Sequence, residues 1–120
     1  MSERKLSSTN FQNQSFLEER CALNELINLL SKRWMTEVMF GIEEGITHFS
    51  SLKENLKHIS DHILANRLKL LEFHGLISKS YIPASPPKTE YTLTAKGAEL
   101  SLLLDGLCGF AEDKMDKFKI

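Results

Sequence analysis

The side chains best suited to do chemistry in this chain lie between Ser60 and Lys88. Their chemistry is recognition rather than bond making. Asn66 carries a donor and an acceptor able to pair bidentately with the edge of adenine, and Ile63 and Ala65 are apolar groups that can touch a thymine methyl. Ser60, Asp61, His62 and Lys69 share that stretch. Arg67 lies at its edge and can either clamp a phosphate or pair with an acid such as Glu72. Lys88 follows the stiff pair Pro86-Pro87, which suits a cation held out toward a nucleic-acid backbone. Lys53 and Lys57 could reach flanking phosphates, although helix surfaces carry lysines anyway.

Other chemistries lack their residues. His58 and His62 are four apart, but Ser60 is expected to cap a helix between them, so they would not share a helical face, and spacing supplies no third metal ligand. No phosphate loop, nucleophile elbow or paired-carboxylate signature is found, so neither a catalytic site, a metal nor a cofactor is expected. Cys21 and Cys108 lie far apart and form neither a disulfide framework nor a zinc-ligand spacing. Arg20 and a helix amino end could favour the Cys21 thiolate, while Glu18, Glu19 and Glu25 oppose it. Cys21 is thus either a sensing thiol or a small buried apolar residue. Cys108 sits among Leu104, Leu107 and Phe110 and is expected to pack with them.

The elements that would position these side chains follow from periodicity and end signals. Residues 1–15, rich in Ser, Asn and Gln, read as a flexible arm with Phe11 and Phe16 as anchors; residues 16–120 read as the folded domain. Leu23, Leu26, Ile27 and Leu30 fall at helical spacing, as do Trp34, Val38 and Ile42 in a second helix stopped by Gly45. Trp34 reads as a core or interface aromatic. Thr47 to Phe49 is a short extended stretch, and Ser50 or Ser51 is expected to cap a short helix containing Leu52 and Leu56. Ile59 then packs the turn. Ser60 caps the next helix, with Asp61 at its positive end, Leu64, Leu68 and Leu71 inward, and a stop at Gly75 near His74. Leu76–Ile82 and Thr89–Leu93 read as two strands. The segment between them holds all three prolines and cannot sustain a ladder. Thr94 caps a last helix over 95–118, with Leu100, Leu103, Leu104, Leu107 and Phe110 as its apolar stripe.

The expected fold class is therefore mainly α with a small β-hairpin: a winged helix-turn-helix (49–74) with its wing (76–93) and terminal dimerisation helices. The first and last helices carry more apolar surface than so small a core covers. This points to a homodimer joined through Leu23, Ile27, Leu100, Leu104 and Leu107. At 120 residues and 42% hydrophobic content the composition is that of an ordinary globular protein, with no signal-peptide or membrane-span pattern, and a cytoplasmic location is expected. The net charge of −1 conceals a segregation. Residues 47–97 hold seven Lys/Arg against four Asp/Glu and all four histidines, whereas the remainder is acidic. A mild positive footprint thus coincides with the helix-turn-helix and wing.

An ordered series of short motifs then resembles the HxlR-type winged helix-turn-helix transcription regulators, relatives of the MarR group. The series runs from Cys21 through Lys32-Arg33-Trp34 (in place of Gly-Lys-Trp), Phe49-Ser50-x-Leu52, Ile59-Ser60, Arg67-Leu68 and Gly75-Leu76-Ile77. It ends with Pro86-Pro87-Lys88-x-Glu90-Tyr91-x-Leu93-Thr94-x-x-Gly97. The resemblance implies a cytoplasmic, usually bacterial, dimeric regulator that binds double-stranded DNA, most often as a repressor. It also implies that a redox or small-molecule effector can act, with Cys21 at the position of the sensing thiol in some members. The chain departs from the pattern where Thr47-His48 replaces one or two arginines and where Ser60-Asp61-His62 replaces Ser-Pro-Lys. Both changes remove positive charge. A winged-helix module that binds protein partners instead of DNA is the alternative reading, supported only by the net charge and those lost cations.

Overall fold

The computed structural model describes residues 22–115. The expected arm over 1–15 and Cys21 lie outside the described residues, as do residues 116–118 of the expected last helix, which ends at Lys114 with Met115 (φ −113°, ψ 83°) already out of helical geometry. The chain forms two compact units, residues 1–35 and 36–120.

In the first unit, α1 is helical over 22–31. Leu29 is buried, whereas Leu23 and Ile27 are about half exposed at 51% and 52%. The helix ends in a turn where Met35 N–H donates to Lys32 O at 3.0 Å. Trp34 does not open the second helix, as its spacing suggests, because its φ is 75°, in the left-handed region that no helical residue adopts. The Arg33 guanidinium lies 5.0 Å from the centroid of its ring.

Helix α2 (Met35–Glu43) begins at the unit boundary. Met35, Val38, Met39 and Ile42 are buried at i, i+3, i+4 and i+7. Helix α3 (Phe49–Leu56) starts earlier than a serine cap would place it. Its N-cap is His48, whose side chain makes no capping bond, so Ser50 and Ser51 lie inside the first turn. Leu52 and Ile59 are buried, as the apolar pattern requires.

Helix α4 (Asp61–Phe73) has both expected ends. Ser60 Oγ accepts from Ile63 N–H at 3.1 Å. At the other end Gly75 has φ 73°, Leu76 N–H donates to Leu71 O at 2.9 Å, and Gly75 N–H donates to Glu72 O at 3.0 Å. This is a Schellman closure, with buried Leu71 and Leu76 as its apolar pair. Leu64, Leu68 and Leu71 form the buried stripe, and α4 packs on α3 and on the hairpin.

The hairpin consists of β1 (Ile77–Ile82) and β2 (Lys88–Leu93), antiparallel with Ile77 opposite Leu93 and Ile82 opposite Lys88. Ile77 and Tyr91 are buried near its base, while Ser78–Ile82 of β1 and Lys88 are exposed and Thr89 and Glu90 are half-buried. Helix α5 (Ala95–Lys114) is tied to that base. Thr94 Oγ1 donates to Gly75 O at 2.6 Å and accepts from Gly97 N–H at 3.0 Å. At Gly97 a Cβ would lie 1.9 Å from Leu76 O, so only glycine permits this approach.

Along α5 the expected single stripe divides in two. Leu100, Leu104 and the small residues Gly97 and Ser101 are buried, whereas Leu102, Leu103, Leu107 and Phe110 are 55–68% exposed. Cys108 is exposed too. Among the described residues its expected packing is not provided, because Leu107 and Phe110 face outward with it. Among the described residues, no helix is long and apolar enough to cross a membrane.

Candidate nucleic-acid interface

With the leucine stripe of α4 turned inward, its other face is open. His62, Ala65, Asn66 and Lys69 line one shallow cleft along that face and are all exposed. Four of the expected recognition residues are thereby brought together on a rigid, capped helix. Ile63 behaves differently. It is partly buried, so Ala65 is the more accessible apolar contact.

The polar residues beside that cleft already have partners. Asp61 forms an ion pair with Lys53 of α3 at 3.2 Å, which ties the start of α4 to its neighbour and offsets an acid otherwise unfavourable near phosphate. Arg67 donates from Nη1 to Asn66 Oδ1. The adenine pairing expected of Asn66 needs that same oxygen as an acceptor. Arg67 must therefore share it or swing away; the adjacent amide, rather than the acid Glu72 or a phosphate alone, is among its partners. Ser60 serves the helix through its capping bond.

Lys88 occupies a separate site. An open cleft of about 450 Å³ is lined by His48, Phe49, Ser50, Ser51, Lys88 and Thr89, between the start of α3 and the wing. Lys88 itself is exposed. Here the segment before α3 runs beside β2 on the edge not used by β1. Tyr91 N–H donates to Thr47 O at 2.8 Å, Thr47 Oγ1 donates to Glu90 Oε2 at 3.3 Å, and His48 Nδ1 lies 2.9 Å from Thr89 O. A carbonyl only accepts, so Nδ1 is the protonated nitrogen in this contact. The residues that replace the family's arginines thus hold the wing instead of projecting as cations.

The hairpin adds residues that sequence reasoning missed. Lys79 and Tyr91, opposite one another across the strands, line a further cavity with Ala65, Lys69 and Glu72 of α4. The Lys79 ammonium lies 5.8 Å from the ring centroid of Tyr81, which is itself 71% exposed. Strand alternation could have suggested it, because Lys79 and Tyr81 share a face at i and i+2. The remaining expected residues are split: Leu100 and Leu104 lie inside one copy, while Leu23, Ile27 and Leu107 are open. Among the described residues no cluster of His, Cys, Asp or Glu could hold a metal ion.

Comparison with known proteins agrees with this geometry. Residues 29–119 match the family model described as HxlR-like helix-turn-helix. The HTH-type transcriptional regulator YvaP of Bacillus subtilis is 34% identical over 90 residues, covering 75% of this chain and 83% of the relative. The HTH-type transcriptional regulator YodB of the same organism is 31% identical over 90 residues, covering 75% and 80%. The solved structure of the reduced form of YodB superposes with a TM-score of 0.74 at 28% identity, covering 82% of this chain and 96% of that one. Its diamide-treated form gives 0.67 at 31% identity, covering 81% and 92%. Five helices in this order and a two-stranded wing among the described residues, with a match across most of the length, lead to one conclusion: the chain belongs to the HxlR-like helix-turn-helix family of DNA-binding transcriptional regulators.

Proposed function

We propose that this protein is a dimeric, sequence-specific repressor that reads its operator with the outer face of α4 and grips the backbone with the wing. The observation that carries this reading is the open face of α4, where His62, Ala65, Asn66 and Lys69 stand together opposite a fully buried leucine stripe. A capped helix of this kind presents base-reading groups at fixed spacing in a major groove, while exposed cations on a neighbouring ribbon contribute affinity without sequence information. Repression follows from occupancy, since a dimer seated across two half-sites excludes other proteins from that stretch. A chromosomal target also implies a cytoplasmic location.

Dimerisation is supported by the apolar surface left open on each unit: Leu23 and Ile27 on α1, and Leu103, Leu107 and Phe110 at i, i+4 and i+7 on α5. A second copy would cover this surface and set the half-site separation, about 34 Å for successive turns. Sedimentation at micromolar concentration should give a dimer, and Leu107→Asp should give a folded monomer. A Leu107→Asp dimer of unchanged affinity would place the interface elsewhere. Cys21 lies outside the described residues. Its proposed role as a redox- or electrophile-sensitive thiol rests on the resemblance and on YodB having been solved in both reduced and diamide-treated forms. Mild oxidant should weaken operator binding in the native protein and not in Cys21→Ser; an equal response in both would remove that role.

The function itself is tested by selecting bound duplexes from random DNA with the purified full chain. Enrichment of a palindromic site is expected, because two copies of α4 must read inverted half-sites. Recovery of unenriched sequence would overturn sequence-specific recognition.

A further inference from the structure

We infer that His48 is a positioning residue for DNA binding: its hydrogen bond to the wing strand sets Lys88 where it meets the nucleic-acid backbone. This rests on the DNA-binding reading above and names a residue through which it operates. The wing is a two-stranded ribbon, and such ribbons are marginal without further support. On β2 the backbone groups of Tyr91 and Thr89 point away from β1, since alternate residues of a strand turn their N–H and C=O to opposite edges. The Thr47–Tyr91 backbone bond holds that outer edge near the core. It stops three residues short of Lys88. The His48 side chain extends the grip to Thr89, the residue next to Lys88, by donating Nδ1–H to its carbonyl at 2.9 Å.

The consequence is a defined place for one charge. Lys88 sits opposite Ile82 at the outer end of the ladder, just before the proline-containing loop, where ladder bonds alone constrain it least. With Thr89 held, Lys88 lines one cleft together with Ser50 and Ser51 of the first turn of α3. A cation already placed loses less freedom on meeting a phosphate than one on a free ribbon. His48 needs no contact with DNA in this role and no change of protonation, because neutral imidazole with the proton on Nδ1 suffices.

The test is a double-mutant cycle between His48→Ala and Lys88→Ala, with affinity measured against salt for the selected duplex and for a scrambled duplex of equal composition. Lys88→Ala should lower the salt slope by about 1.8, about 0.9 for each of the two phosphate contacts that a dimer loses. His48→Ala should produce the same change, with about a three- to tenfold loss on both duplexes near physiological salt. Added to Lys88→Ala it should cost nothing further. His48→Asn, whose amide nitrogen occupies the place of Nδ1, should restore affinity and slope. His48→Gln, whose donor lies one bond farther out, should not. Should His48→Ala prove unfolded by circular dichroism, the Asn and Gln variants decide alone. Additive losses, an unchanged slope in His48→Ala, or equal behaviour of Asn and Gln would each overturn the inference while leaving DNA binding intact. A native protein that binds neither duplex would overturn DNA binding as well.

Discussion

Helix α4 and the wing are neighbours, yet they are held in place by different means. Helix α4 is built from its own sequence: a serine cap, a leucine stripe, a glycine closure and an acid at its positive end. The wing owes its place to residues remote in sequence. Thr47 and His48 hold one edge of β2, while Thr94 and Gly97 fasten its base to α5 and Leu76. The difference suits their tasks. Base reading needs side chains fixed to within a fraction of an ångström on a rigid rod, whereas a backbone contact tolerates a ribbon that is steered from its stem. On the proposed reading, specificity belongs to the locally capped element and affinity to the one steered from its stem.

Substitutions that separate these two kinds of support differ widely in expected size. Leu64→Ala removes a fully buried side chain from the stripe of α4 and should cost about 2–5 kcal/mol in denaturant unfolding, since the cavity closes only in part. A cost within experimental error would mean that α4 does not depend on its stripe. Gly97→Ala strikes the base of the wing. With a backbone oxygen 1.9 Å from the new Cβ, α5 and Leu76 must separate, at about 1–3 kcal/mol or somewhat more. An unchanged melting temperature would show that the base of the wing is loose.

Asn66→Ala should reduce binding of the selected operator by about 1–3 kcal/mol and leave scrambled DNA nearly unaffected. Equal losses on both would assign Asn66 to the backbone and erase the division of labour between helix and wing. Ser60→Ala removes the cap bond to Ile63 N–H and should cost about 1 kcal/mol of stability. Ser101→Ala should have the smallest effect and the opposite sign. Among the described residues its buried hydroxyl has no hydrogen-bond partner, so alanine should be neutral or stabilising by up to about 1 kcal/mol. A clear loss of stability would reveal a partner for that hydroxyl beyond the described residues, such as a group on the second copy.

Much of this is legible in the residues alone. Ser60, Gly75 and Thr94 mark the ends of α4 and the start of α5 because caps act within one helical turn, and Leu64, Leu68 and Leu71 declare their face through a spacing the helix imposes on itself. The start of α3 was less legible. Two serines looked like caps, yet the chain is held extended up to His48 by bonds to β2, forty-odd residues away, and the helix begins at Phe49. Trp34 misled in the same manner, since hydropathic spacing cannot reveal a positive φ.

Local sequence is enough for the order of the elements, for both ends of α4 and the start of α5, and for the inward face of α4 with the outward face that carries His62, Ala65, Asn66 and Lys69. These depend on interactions between residues three or four apart. Contacts between distant elements set which leucines of α5 lie inside one copy and bring His48 to Thr89 rather than solvent, and side-chain packing gives Asn66 Oδ1 to Arg67. Leu100 and Leu103 are equally apolar, and a helix offers both. Their fates part because Gly97 lets α5 approach Leu76 closely on one side alone, and that choice rests on a neighbour contributed from twenty-one residues away.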